Sequence, residues 1–319
     1  MPLIDMPLEQ LKRYEGRNPR PSDFDEYWDS ALKELDAVDP EARFVKSGLT
    51  LPYAECYDLY FKGVRGAVIH AKFLKPTQIA GPLPAVLQFH GYTVASGDWA
   101  DKLSYVSQGF VVAAMDCRGQ GGSSEDTGGV KGNTYQGHII RGLDDRPEQL
   151  LFRHIFLDTV QMARVIMSLP EVDENRIASI GASQGGALSL ACAALEPRIR
   201  KTVAVYPFLC DYKRVWEMDL VEGAYKEIQT FFRHFDPRHE REDEIFDKLG
   251  YIDVQHLAPR IKAETFMGTG LMDTVCPPSS QFAAYNKISA RKHVKVYPDF
   301  GHEGLPGFND MAMEFLLDI

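Results

Sequence analysis

Three residues in a fixed order have the makings of nucleophilic chemistry: a serine between glycines, then an aspartate, then a histidine. The serine is Ser183, in Gly181-Ala182-Ser183-Gln184-Gly185. An apolar run, Ile177 to Ile180, precedes it and an Ala- and Leu-rich run follows, so it falls on a sharp turn from strand into helix. Gly181 and Gly185 leave room for that turn because neither carries a Cβ. Asp273 follows the β-forming run 264–270, and His302 follows the run 293–297. A serine hydroxyl is a weak nucleophile until a base takes its proton and a third group orients the base. The expectation is that Ser183 Oγ attacks an acyl carbonyl and His302 takes the proton. Asp273 then fixes the imidazole tautomer and stabilises the imidazolium.

Other residues compete for these roles. His70, His138, His154, His234, His239, His256 and His293 fall in strand, helix or insert patterns and read as structural. His90 follows an early strand, where this chemistry needs an oxyanion loop rather than a base. Among acids, Asp299 stands too close to its strand end to reach back easily. Asp211 comes one strand early and is kept as the alternative to Asp273. The oxyanion site is expected from backbone N–H groups, that of Gln184 and one from the loop after Phe89, with Tyr92 as that second donor.

The elements that must position these groups alternate. Residues 1–45 form an extension, with Phe24, Tyr27, Trp28, Ala31, Leu32 and Leu35 on one helical face opened by Pro21-Ser22-Asp23. Two β-rich runs, Tyr53–Phe61 and Ala67–Leu74, predict an antiparallel pair at a sheet edge. Strands at 84–89, 110–116, 176–180, 201–206, 264–270 and 293–297 then alternate with helices, the pattern of a parallel sheet with helices on both faces. Residues 211–260 break the rhythm with a helical, aromatic-rich insert, expected to cap the strand ends. A glycine-rich segment from Arg118 to about Asp145 lacks the lysine and serine spacing of a phosphate loop. The whole chain, 1–319, reads as one α/β domain.

Bulk composition excludes several classes of partner. A net charge of -10 over 319 residues argues against nucleic acid or an anionic membrane as the main partner. Cys56, Cys117, Cys192, Cys210 and Cys276 are odd in number and unpaired in spacing, so no metal site, cofactor or disulfide framework is expected. Cys117 and Cys192 lie in apolar runs and read as core. The amino-terminal stretch lacks the pattern of a secretion signal, and no apolar run approaches a membrane span, so a cytoplasmic location is expected.

Arg118-Gly119-Gln120, Gly181-Ala182-Ser183-Gln184-Gly185 and His302-Glu303 together resemble the three-part signature of carbohydrate esterase family seven. These are the acetyl xylan esterases and cephalosporin C deacetylases of the α/β-hydrolase superfamily, and the likeness runs over essentially the whole chain. The resemblance implies an α/β-hydrolase fold and a serine esterase acting on small acetylated sugars or cephalosporin-type alcohols. It also implies a homohexamer with active sites facing an internal cavity, and in some relatives the transfer of acyl groups to hydrogen peroxide. Within the signature, Arg118-Gly119-Gln120 is read as scaffolding that pins the active-site loops, and Glu303 as a group steadying the His302 loop. A broader small-acyl carboxylesterase and a serine peptidase or amidase on the same fold remain the alternatives.

Overall fold

The structure is a computed structural model that describes residues 4–128, 136–220 and 223–319. Its centre is a nine-stranded sheet in the order β1-β2-β3-β5-β4-β6-β7-β8-β9. The strands are β1 (Arg43–Lys46), β2 (Ala54–Lys62), β3 (Val68–Pro76), β4 (Leu83–Phe89), β5 (Val111–Met115), β6 (Val172–Ala182), β7 (Ile199–Val205), β8 (Glu264–Gly270) and β9 (Lys292–Tyr297). Strands β1, β2, β3 and β5 pair antiparallel. From β5 across to β9 every pairing is parallel. Helices cover both faces, and this is the α/β-hydrolase fold.

The parallel strands are apolar along their length because both faces are covered. All of Val111–Met115 is buried, for example. The helix after β6, Gln184–Leu195, is buried on every side. That explains its Ala- and Leu-rich composition with no polar stripe, since a helix without a wet face needs none. The long crossing helix spans Leu151–Met167. Between β4 and β5 a 3₁₀ turn, Ala100–Lys102, runs into the short helix Leu103–Ser107.

Two features of the amino-terminal region differ from, or add to, the sequence reading. Strand β1 falls inside the expected extension; Arg43-Phe44-Val45-Lys46 is short, half charged and mostly exposed, so it carries no alternating signal. The amphipathic helix Phe24–Asp36 packs on the body through Phe24, Tyr27, Trp28, Ala31 and Leu35, with the Trp28 indole N–H donating to the Tyr251 carbonyl at 3.0 Å. Ahead of it, the Tyr14 hydroxyl and the backbone N–H groups of Arg17 and Asn18 all donate to the buried carboxylate of Asp211, each at 2.8 Å.

Residues 212–257 form helices Tyr212–Glu217, Lys226–Phe235, Glu242–Gly250 and Val254–Leu257 between β7 and β8. Helix Lys226–Phe235 buries Glu227, Ile228, Phe231 and Phe232 and exposes its opposite face. Of the glycine-rich segment, residues 129–135 lie outside the described residues. Its first residues are tied down: Asp116 accepts from the N–H groups of Ser96 and Ser123 at 2.7 and 2.9 Å. Asp116 and Asp58 also hold the two ring nitrogens of His70, at 2.7 and 2.9 Å. Burial opposes a charge on His70, but the two carboxylates outweigh it and its pKa is raised.

The crossing helix and the loop after β5 are locked by one ion pair. Arg118 Nε and Nη2 donate to the two carboxylate oxygens of Asp158 at 2.7 and 2.6 Å. The residues are 1 % and 0 % exposed, so removing one partner leaves a buried charge with no counterpart. Asp158→Ala is therefore expected to cost about 3–5 kcal/mol of stability. A urea unfolding midpoint equal to that of the unaltered chain would refute it.

Candidate active site

Ser183 sits at the carboxyl end of β6 with φ 56 and ψ -120, a conformation that L-residues rarely hold. The surroundings enforce it. The Ser183 N–H donates to the Val205 carbonyl at 2.9 Å, and its own carbonyl accepts from Phe208 N–H at 3.0 Å. The turn can close only on glycine. A Cβ on Gly181 would lie 2.3 Å from the Gly185 carbonyl carbon, and one on Gly185 would lie 2.0 Å from the Phe89 oxygen.

Asp273 and His302 come together across the ends of β8 and β9, with Asp273 Oδ2 and His302 Nδ1 2.8 Å apart. The Asp273 side chain is fully buried. Its other oxygen accepts from the N–H groups of Val275 and Cys276 at 2.9 and 2.7 Å. A carboxylate held this way only accepts, so His302 Nδ1 carries the hydrogen and Nε2 keeps a free lone pair. The Tyr206 ring lies 4.5 Å from the imidazole, centre to centre, and limits its swing. Ser183 and His302 line one cavity of about 680 Å³. The same cavity is walled by Tyr92, Phe208 and Val275, and by Gly223, Ala224, Lys226, Glu227 and Thr230 of the insert.

Asp211, the alternative acid, points elsewhere. Its carboxylate is occupied by Tyr14, Arg17 and Asn18 and anchors the amino-terminal segment. Asp299 is exposed.

The loop after β4 is shaped from below by side-chain amides. Gln120 and Gln184 pair reciprocally, with N–O distances of 2.8 and 3.0 Å. Gln120 Oε1 also accepts from Thr93 N–H at 2.9 Å, and Gly121 N–H donates to the Val94 carbonyl at 3.1 Å. His90 adds a further tie: its Nε2 accepts from Cys117 N–H at 2.9 Å, and its Nδ1 donates to the Gly91 carbonyl at 2.7 Å. Burial depresses the His90 pKa, in keeping with a neutral ring in that role. Gly119, at φ 75, makes the turn that carries Gln120 inward. Arg118 reaches Asp158 rather than the cavity. Glu303 accepts from Gly301 N–H at 3.0 Å, bridging the residue before His302.

Several contributors escaped the sequence reading. Asp158 lies 40 positions from Arg118 in a helix. Tyr206 reads simply as strand. Cys276 follows Asp273 closely in sequence, and its buried thiol faces the Ser183 hydroxyl, with burial pushing its pKa well up. Glu227 sits in a charged, amphipathic helix where nothing in the local pattern marks it. Among the described residues, no group of three or more His, Cys, Asp or Glu side chains could hold a metal ion.

Comparison with known proteins gives the chain a family. The acetyl xylan esterase (AXE1) family matches the chain over residues 1–319. Acetyl xylan esterase 1 from Thermoanaerobacterium sp. JW/SL YS485 is 62 % identical, with a TM-score of 0.96 over 98 % of this chain and 99 % of that one. The acetyl xylan esterase from Paenibacillus sp. R4 is 36 % identical, with a TM-score of 0.91 over the same shares. Acetyl esterase Axe7A of Xylanibacter ruminicola is 30 % identical over 296 residues, and the match spans 91 % of this chain but 64 % of that longer relative. The chain belongs to the acetyl xylan esterase family, carbohydrate esterase family seven of the α/β-hydrolase superfamily.

Proposed function

We propose that this chain is a serine esterase that removes acetyl groups from short acetylated xylo-oligosaccharides and from cephalosporin C-type acetyl esters. The observation that carries the reading is the pairing of Asp273 with His302 at 2.8 Å beside a cavity shared with the strained Ser183. Ser183 Oγ attacks the acetyl carbonyl carbon as His302 Nε2 takes its proton, giving a tetrahedral oxyanion. The N–H groups of Gln184 and Tyr92 receive the negative charge on that oxygen. Collapse breaks the bond to the alcohol, and His302 returns the proton to the leaving alkoxide. Water then repeats the sequence on the acetyl-enzyme, releasing acetate and restoring Ser183. Asp273 holds Nδ1–H throughout and stabilises the imidazolium.

Gln120 and Gln184 work through the backbone. Their amide pair supports the loop that presents Tyr92, while Arg118–Asp158 holds the loop after β5 from which Gln120 reaches it. Five buried thiols, none in a disulfide, support a reducing setting. Family membership supports a homohexamer. Light scattering should then report six copies of the 35.9 kDa chain, and a monomer would overturn that assembly.

Ser183→Ala is expected to lower kcat by about 10⁶. The unaltered chain should cleave p-nitrophenyl acetate far faster than the octanoate. Equal rates on the two esters would make it a general carboxylesterase. Turnover of aminoacyl anilides comparable to acetate esters would make it a peptidase.

A further inference from the structure

Glu227 lies on the insert helix Lys226–Phe235 and faces the cavity that holds Ser183 and His302. It is 9 % exposed, and a carboxylate so buried needs donors on both oxygens. It has them. Oε1 accepts from Gly137 N–H at 2.9 Å and from the Tyr92 hydroxyl, and Oε2 accepts from Ile139 N–H at 2.8 Å. The Tyr92 oxygen in turn accepts from His138 N–H at 3.1 Å. Three segments distant in sequence therefore meet at one carboxylate and one phenol: the insert, residues 137–139, and the loop after β4.

Tyr92 is consequently held at two levels. Beneath it, Gln120 fixes the next residue through Thr93 N–H. Above it, Glu227 fixes the hydroxyl, and the ring rests edge-on against Phe208 at 5.9 Å. A backbone N–H is aimed when both the neighbouring peptide and the residue's own side chain are immobile.

We propose that Glu227 is a positioning residue for acyl transfer: through the Tyr92 hydroxyl it aims the Tyr92 amide at the developing oxyanion. The inference rests on the esterase reading above. It gives the insert a part in the chemistry beyond covering the strand ends, because a shift of helix Lys226–Phe235 moves an oxyanion donor.

The test compares Glu227→Gln, Glu227→Asp, Tyr92→Phe and the double variant Tyr92→Phe/Glu227→Gln. Glutamine keeps the volume of glutamate but sets an NH₂ group against a backbone N–H in either orientation of its amide. The readout is kcat on p-nitrophenyl acetate per Ser183 titrated with a fluorophosphonate, so that misfolded protein drops out. Glu227→Gln should lower this per-site kcat about tenfold or more with little change in KM, since sub-ångström misplacement of a donor acts on the transition state. Glu227→Asp, which keeps the charge, should recover part of the loss. The double variant should be no slower than the slower single one, as expected for residues acting in series. A per-site kcat in Glu227→Gln equal to that of the unaltered chain would overturn the proposal, even with a lowered melting temperature. Strict additivity in the double variant would overturn it too. Failure of the unaltered chain to label at Ser183 would instead sink the esterase reading, and this inference with it.

Discussion

The backbone of Gly185 rests against the carbonyl of Phe89 so closely that no side chain fits between them. That contact fixes where the elbow helix begins relative to the end of β4. It also holds Ser183 in a conformation it would not choose. The strain is sustained because both backbone polar groups of Ser183 are tied, its N–H to the Val205 carbonyl and its carbonyl by the Phe208 N–H. A serine on a slack loop would expose the same hydroxyl without a fixed direction. Here the fold determines the direction, and His302, paired with Asp273, lines the same cavity.

Around this rigid turn the polar contacts form tiers. The buried Arg118–Asp158 pair secures the chain as it leaves β5. Gln120 then passes that fixed position to Gln184 and to Thr93. Buried polar groups are costly unless fully satisfied, and satisfied ones specify a single arrangement. They are concentrated under the loop after β4. The cavity is mixed in character: Phe208 and Val275 are apolar, while Lys226 and Thr230 offer polar groups to an alcohol. That combination suits a small acyl group on a hydroxyl-rich leaving group.

Most of the architecture was legible in the chain because strand and helix periods differ and the parallel strands are nearly continuous apolar runs. Ser183, Asp273 and His302 could be ordered because each follows such a run. Strand β1 was not legible, since four residues with two charges on an edge carry no period. Asp158 was hidden because a carboxylate in a helix reads as surface until its neighbours are known. Glu227 was hidden for the same reason, between Lys226 and Ile228 in a helix whose outer face is charged. The true use of Asp211 depended on a backbone path, through Arg17 and Asn18, that no side-chain pattern records. Long-range polar pairing is a property of the folded geometry, whereas hydrophobic period is a property of the local chain.

The tie between Asp211 and residues 14–18 closes a loop of about 193 to 197 residues. During synthesis at roughly 5–20 residues per second, the amino-terminal segment waits on the order of ten to forty seconds for its partner carboxylate to emerge. In that interval Tyr14 has no native partner, and the apolar face of helix Phe24–Asp36 waits first for helix Leu151–Met167, whose Phe156 stacks on Trp28, and then for Tyr251. This segment, made long before its partners, is thus among the last to settle. Its exposed Phe24 and Trp28 make the nascent chain, rather than the finished enzyme, the state with most need of protection from aggregation.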